Sequence, residues 1–215
     1  MKATKKMWII TIIAIILLAT YSLLFPLPPQ TMLIRFFALS GFLLLCLSLL
    51  IGPLATILPK IFCKLISARK WVGIWAFVFI FIHFLLVFIY SYYLDAALLL
   101  SSPQIALALI ATILLALLTI TSINKIVQKL GYTKWKTIQR LAYIAFTFSF
   151  IHFLMDTNGL FIKLPNNTTF LNLAETLMIL LGVMTILLQI AGFFYKMGRK
   201  EACEEEIAIS KPEEK

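Results

Sequence analysis

Long apolar runs broken by short polar connectors dominate this chain. A helix that crosses the hydrocarbon layer of a membrane needs roughly 20 mostly apolar residues. Six segments meet that requirement, at about 7–25, 36–58, 71–93, 104–123, 138–155 and 170–195. They predict an all-α, polytopic membrane bundle of six transmembrane helices, with a first helix at 7–25, a core at 36–155 and a last helix at 170–195. The first run follows MKATKK as the apolar region of a signal peptide would, but it is long for one, and TYSLLFPLPP offers no small-x-small cleavage site. It is expected to remain as a helix. Residues 196–215 form a charged tail, too short for a domain and expected to be solvated.

Composition agrees with the pattern. Of the 215 residues 62% are hydrophobic and 13% charged, with a mean hydropathy of +1.01, whereas a soluble domain is roughly half apolar and a quarter charged. The net charge of +10 sits in basic clusters between the apolar runs. That distribution orients a membrane protein and does not point to nucleic acid as a partner. With the N-terminus inside, all of the 19 Lys and Arg residues except Arg35 and Lys163 fall on the cytoplasmic side. Asp95, Asp156 and Glu175 fall on the outer side. The bias predicts cytoplasmic N- and C-termini in a multi-pass protein of the plasma (inner) membrane. Cys46 lies within the second helix, and Cys63 and Cys203 lie on the side where thiols stay reduced, so no disulfide is expected. No glycine-rich dinucleotide fingerprint occurs, and no Rossmann unit is expected within these residues.

The only two histidines stand in one repeated phrase. AFVFIFIHFL covers 76–85 and AFTFSFIHFL covers 145–154, with eight of ten positions identical. On the expected topology the third and fifth helices run in the same direction, from inside to outside. Counted from Trp71 and Arg140, each histidine is twelve residues along its helix, or ~18 Å. Both imidazoles therefore reach one depth, in the outer half of the layer. Positions i−7 and i−4 share the face of residue i; these are Ala76 and Phe79 for His83, and Ala145 and Phe148 for His152. The alanines leave room for a flat group, and the phenyl rings can pack on it.

An imidazole at that depth is costly without a partner and faces the bundle interior. Two readings follow. Each ring hydrogen-bonds a neighbouring helix, or the two together ligate one haem iron, which gives both a partner at once. The shared depth, direction and face favour the pair. A zinc site usually takes about three or four protein ligands, and no carboxylate or cysteine shares that depth.

Two longer stretches carry a family resemblance. ARKWVGIWAFVFIFIHFLLVFIY (68–90) has a basic pair before Gly-aliphatic-x-Ala-Phe and then a histidine; TSINKIVQKLGYTKWKTIQRLAYIAFTFSFIHF (121–153) has Thr-Ser, a loop with Leu-Gly and Trp, Arg-Leu-x-Tyr and a closing histidine. Over roughly 36–155 the chain resembles the ferric reductase-like transmembrane domain family, and within it the haem-binding membrane subunits of the periplasmic methionine sulfoxide reductase system. The resemblance implies that His83 and His152 are axial ligands of a b-type haem, with Gly73, Ala76, Trp135, Arg140 and Tyr143 in scaffold positions. It implies transmembrane electron transfer by the haem-binding subunit of an oxidoreductase. The donor it implies is a cytoplasmic flavin reductase or a quinol, and the acceptor an extracytoplasmic reductase or ferric iron. There is one departure: Gln139 stands where those relatives carry a further histidine, thirteen residues before His152, so no ligand for a second haem is implied at that end.

Other polar residues carry two readings each. Arg35 and Lys163 suit the anionic propionates of a haem or ordinary snorkelling at the interface. Gln139, with Lys136 and Arg140, suits FMN, FAD or a quinone at the cytoplasmic face, or is simply polar at a helix entrance. Glu175 and Asn172 open the last helix, where an acid suits the N-terminal dipole. The sequons in NNTT (166–169) matter only in a secretory-pathway host. The rival from another class is a cofactor-free membrane transporter or scaffold, which would be colourless and would tolerate His83→Ala.

Overall fold

The computed structural model describes residues 2–23, 28–156, 161–163, 169–171 and 173–197. Helix α1 spans Lys2–Leu23 and α2 Pro29–Ile57. A short helix α3 (Pro59–Phe62) and a 3-10 turn (Cys63–Leu65) lead into α4, Ile66–Tyr90. Then follow α5 (Ala96–Leu100), α6 (Pro103–Thr121), α7 (Asn124–Leu130), α8 (Tyr132–Gln139), α9 (Leu141–Asp156) and α10 (Leu173–Met197). Between α9 and α10, β1 (Phe161–Lys163) pairs antiparallel with β2 (Thr169–Leu171), a small addition to the expected all-helical fold.

Among the described residues five helical segments are long and apolar enough to cross a membrane: Pro29–Ile57, Pro59–Tyr90, Pro103–Thr121, Tyr132–Met155 and Leu173–Lys196. In α1 the apolar stretch is shorter, Thr11–Thr20. The helix starts are set by local chemistry. Proline stands in the first turn of α2, α3 and α6, where its missing N–H costs nothing. Asp95 caps α5 by accepting from the N–H groups of Ala97 and Leu98 at 2.9 and 3.1 Å. The span expected at 138–155 begins at Tyr132 instead, because Gly131, at φ 74°, lets the chain turn out of α7 and directly into α8.

The most buried span is α2. It runs antiparallel to α4: Phe37 meets Phe79 near one end, and the Ser48 hydroxyl donates to the Arg69 carbonyl near the other. Between these points the backbones approach so closely that a Cβ on Gly41 would lie 2.8 Å from Ile80 Cγ1. By contrast, α10 runs parallel to α2 in a constant register of 140 residues, pairing Arg35 with Glu175 and Leu49 with Gln189. Pro53 inside α2 cannot donate to the Leu49 carbonyl, and Gln189 Nε2 donates to it instead at 2.6 Å.

A second antiparallel pair is formed by α6 and α9: Gln104 meets His152 at one end, and at the other Leu118 meets Gln139, the last residue of α8, just before α9 begins. Phe42 of α2 ties the two pairs together, with its ring centroid 5.9, 5.9 and 4.9 Å from those of Phe146, Phe150 and Phe153. Lys70, in the first turns of α4, donates to Asn124 just beyond the end of α6, so α4, like α9, runs antiparallel to α6 and the two are co-directional, as the sequence predicts. Lys60, Lys64, Lys70, Lys125 and Arg140 belong to connectors and helix ends on one side of the bundle; Arg35, Asp95 and Glu175 belong to the other. Cys46 is a buried free thiol. Cys63 is disulfide-bonded, which corrects the expectation of a reduced thiol; Cys203 lies outside the described residues. Residues 198–215, most of the charged tail, also lie outside them.

Candidate functional site

Both histidines are held in the same way. His83 Nδ1 lies 3.0 Å from the Ile34 carbonyl of α2, and His152 Nδ1 lies 3.0 Å from the Gln104 carbonyl of α6. A carbonyl only accepts, so each Nδ1 must carry the proton. That tautomer places the lone pair on Nε2, the nitrogen that ligates a metal when Nδ1–H is tied to a carbonyl. Both anchors stand near the starts of their helices, at the Arg35 and Asp95 side of the bundle. They precede their histidines by 49 and 48 residues, so the repeated phrase is also a repeated construction: a descending helix offers a carbonyl and an ascending helix hangs an imidazole on it.

The two rings are half-buried. The backbone of α4 packs chiefly on α2 and that of α9 chiefly on α6, while the histidine helices do not pack closely on each other. Among the described residues no three His, Cys, Asp or Glu side chains come together as a metal site. A planar prosthetic group can be held by two nitrogen donors, whereas a bare cation usually takes roughly three or more protein ligands.

The flanking residues divide in a way the sequence did not foretell. Ala76 and Ala145 are both 0% exposed, enclosed by helix packing. Phe79 and Phe148 are half-buried, and Phe79 packs against Phe36 and Phe37 of α2 at centroid distances of 6.3 and 5.4 Å. Phe146, Phe150 and Phe153 build the ring stack with Phe42; their i, i+4, i+7 spacing was the available signal. Gly73 lets α4 approach Ser48, since a Cβ there would lie 3.2 Å from the Ser48 hydroxyl.

Arg35 is ion-paired with Glu175 across the outer ends of α2 and α10. Gln139 lies at the opposite end of the α6–α9 pair from His152. Its amide donates to the Leu118 carbonyl and to the hydroxyls of Thr121 and Ser122 at 3.3, 3.4 and 3.2 Å. Nearby, Arg140 and Tyr143 are exposed, and Lys136 lies over the Tyr132 ring, 5.4 Å from its centroid. The side chains of Lys163 and Asn172 lie outside the described residues. Ile34, Gln104 and Gln189 were missed by sequence reasoning, because a backbone carbonyl has no residue-type signature and a lone glutamine has little.

Residues 37–150 match the family described as ferric reductase like transmembrane component. The chain belongs to that family. His83 lies inside the matched range and His152 two residues beyond it, on the same helix. The chain is 30% identical over 113 residues to the protein-methionine-sulfoxide reductase heme-binding subunit MsrQ of Herminiimonas arsenicoxydans, covering 51% of each chain. It is 30% identical over 119 residues to the subunits of the same name from Agrobacterium fabrum, covering 52% of each, and Brucella ovis, covering 54% of this chain and 52% of the relative. The chain thus spans about half the length of the curated relatives it matches. Its apolar helices and this family make it a multi-pass membrane protein.

Proposed function

We propose that this ferric reductase-like protein is a six-span cytochrome b of the plasma (inner) membrane that passes electrons across the bilayer through one haem b held by His83 and His152. The observation that carries the reading is the matched pair of Nδ1 hydrogen bonds to Ile34 and Gln104, which presents Nε2 of each ring as a donor on co-directional helices. The names of the relatives, each a heme-binding subunit of a reductase, point the same way. When bound, the haem supplies one-electron chemistry; the protein supplies ligands, orientation and a low-dielectric setting.

Each side chain then has a task. The Nδ1–H bonds fix ring orientation and raise the basicity of the ligating nitrogen. Ala76 and Ala145 set how closely α4 and α9 approach their neighbours, and Phe79 and Phe148 flank the prosthetic group. Arg35 stands at the outer end, with its guanidinium taken up by Glu175. With the basic end inside and both termini cytoplasmic, Arg140 and Lys136 meet the donor, whether a quinol or the FMN or FAD of a flavin reductase. Gln139 stands with them but spends its amide on α6. The acceptor on the other side is a reductase partner or ferric iron.

A vesicle experiment tests this directly. Proteoliposomes enclosing NADH and a soluble flavin reductase, with ferricyanide outside, are expected to bleach the ferricyanide only when the protein is present, and to lose that activity with His83→Ala. Equal bleaching by the His83→Ala protein would contradict electron transfer through the histidine pair.

A further inference from the structure

We infer that Glu175 tunes the reduction potential of the haem through Arg35, as a positioning residue and not a ligand; this rests on the haem reading above. The turn that begins α2 is clamped to α4 at two points. The Ile34 carbonyl accepts from His83, and Phe36 and Phe37 pack on Phe79, one turn before that histidine. Arg35 sits between these anchors, and its guanidinium turns to α10, where it meets the Glu175 carboxylate. Glu175 is only 8% exposed. Its contact with Arg35 is thus made largely out of water, and Glu175 stands in the first turn of α10, at the positive end of the helix dipole.

Arg35 and Glu175 both fall outside the 37–150 match. The pair is therefore built by segments flanking the family core, against the residue that anchors one of its imidazoles. As a pair the two charges nearly cancel at a distance. With Glu175 neutralised, the guanidinium remains alone beside the His83 anchor, in a setting where water screens it poorly. Reduction adds one electron to the haem, so an uncompensated cation favours the reduced form.

Potentiometric titration of the purified full-length protein, with the visible spectrum as readout, tests the inference. Glu175→Gln is expected to shift the midpoint potential upward. The double variant Glu175→Gln with Arg35→Gln is expected to return it toward the original value, since both charges are gone. Glu175→Asp, which keeps the charge, is expected to leave the midpoint in place and serves if the glutamine variant folds poorly. An unchanged midpoint in Glu175→Gln, or a double variant shifted further in the same direction, would overturn the role of the charge pair while leaving the haem in place. A protein with no haem spectrum in any of these forms, the unsubstituted chain included, would overturn the haem reading itself.

Discussion

Gln189 donates a 2.6 Å hydrogen bond to the carbonyl of Leu49, the acceptor that Pro53 leaves without its helical partner. The proline and the glutamine lie on different helices and make sense only together. Gly192 completes the fit, because a Cβ there would fall 2.7 Å from Pro53 Cβ. Gln189→Leu leaves a buried carbonyl unsatisfied and is expected to cost about 1–3 kcal/mol, read from thermal or detergent-induced unfolding. Pro53→Ala restores an N–H to α2, so in that background the same substitution is expected to cost markedly less. Equal costs in the two backgrounds would show that the bond does not serve the proline.

The contact between α9 and α10 leaves no room for even one methyl group. A Cβ on Gly182 would lie 2.5 Å from Phe150 Cε2, and Phe150 is locked in the stack with Phe42 and Phe146. Gly182→Ala is expected to destabilise the bundle by about 1–3 kcal/mol through overpacking. Phe150→Leu, added to it, removes the offending ring edge and is expected to recover part of the loss. Unfolding of the single and double variants in detergent checks both statements.

Gln139, the last residue of α8, ties that helix to the inner end of α6. Thr121 and Ser122 donate their own hydroxyls to the carbonyls of Leu117 and Leu118 at 2.8 and 2.7 Å, so their hydrogen-bonding needs do not depend on the glutamine. Gln139→Leu is therefore expected to cost only about 1 kcal/mol and to leave the rate of haem reduction by the donor unchanged. Stopped-flow reduction measures that rate. A large fall would move Gln139 from helix packing to donor recognition.

What the sequence discloses and what it hides follow from the same physics. Length and hydropathy foretold five of the six expected spans because lipid demands them of every crossing helix; in α1 the apolar stretch is shorter, Thr11–Thr20. The repeated Ala-Phe phrase singles out His83 and His152 because ionisable rings are rare in such segments. The partners of those rings are backbone carbonyls of Ile34 and Gln104, which any residue type would offer, so no pattern announces them. From sequence Arg35 suits haem propionates or the interface, and its partner Glu175 is hidden because α10 brings it from 140 residues away. Gln139 could not be placed from helical spacing alone, since the break at Arg140 between α8 and α9 interrupts the count of turns from His152. The paired strands Phe161–Lys163 and Thr169–Leu171 are too short for alternation to be visible.

The absorbance spectrum of the purified protein, oxidised and then reduced, tests the central claim most directly. The unsubstituted chain is expected to show a Soret band and, on reduction, the sharp visible bands of a six-coordinate b-type haem. His83→Ala and His152→Ala are each expected to lose that spectrum, because one imidazole alone leaves the iron without its second axial ligand. A colourless protein, or a six-coordinate spectrum that survives the loss of either histidine, would contradict it.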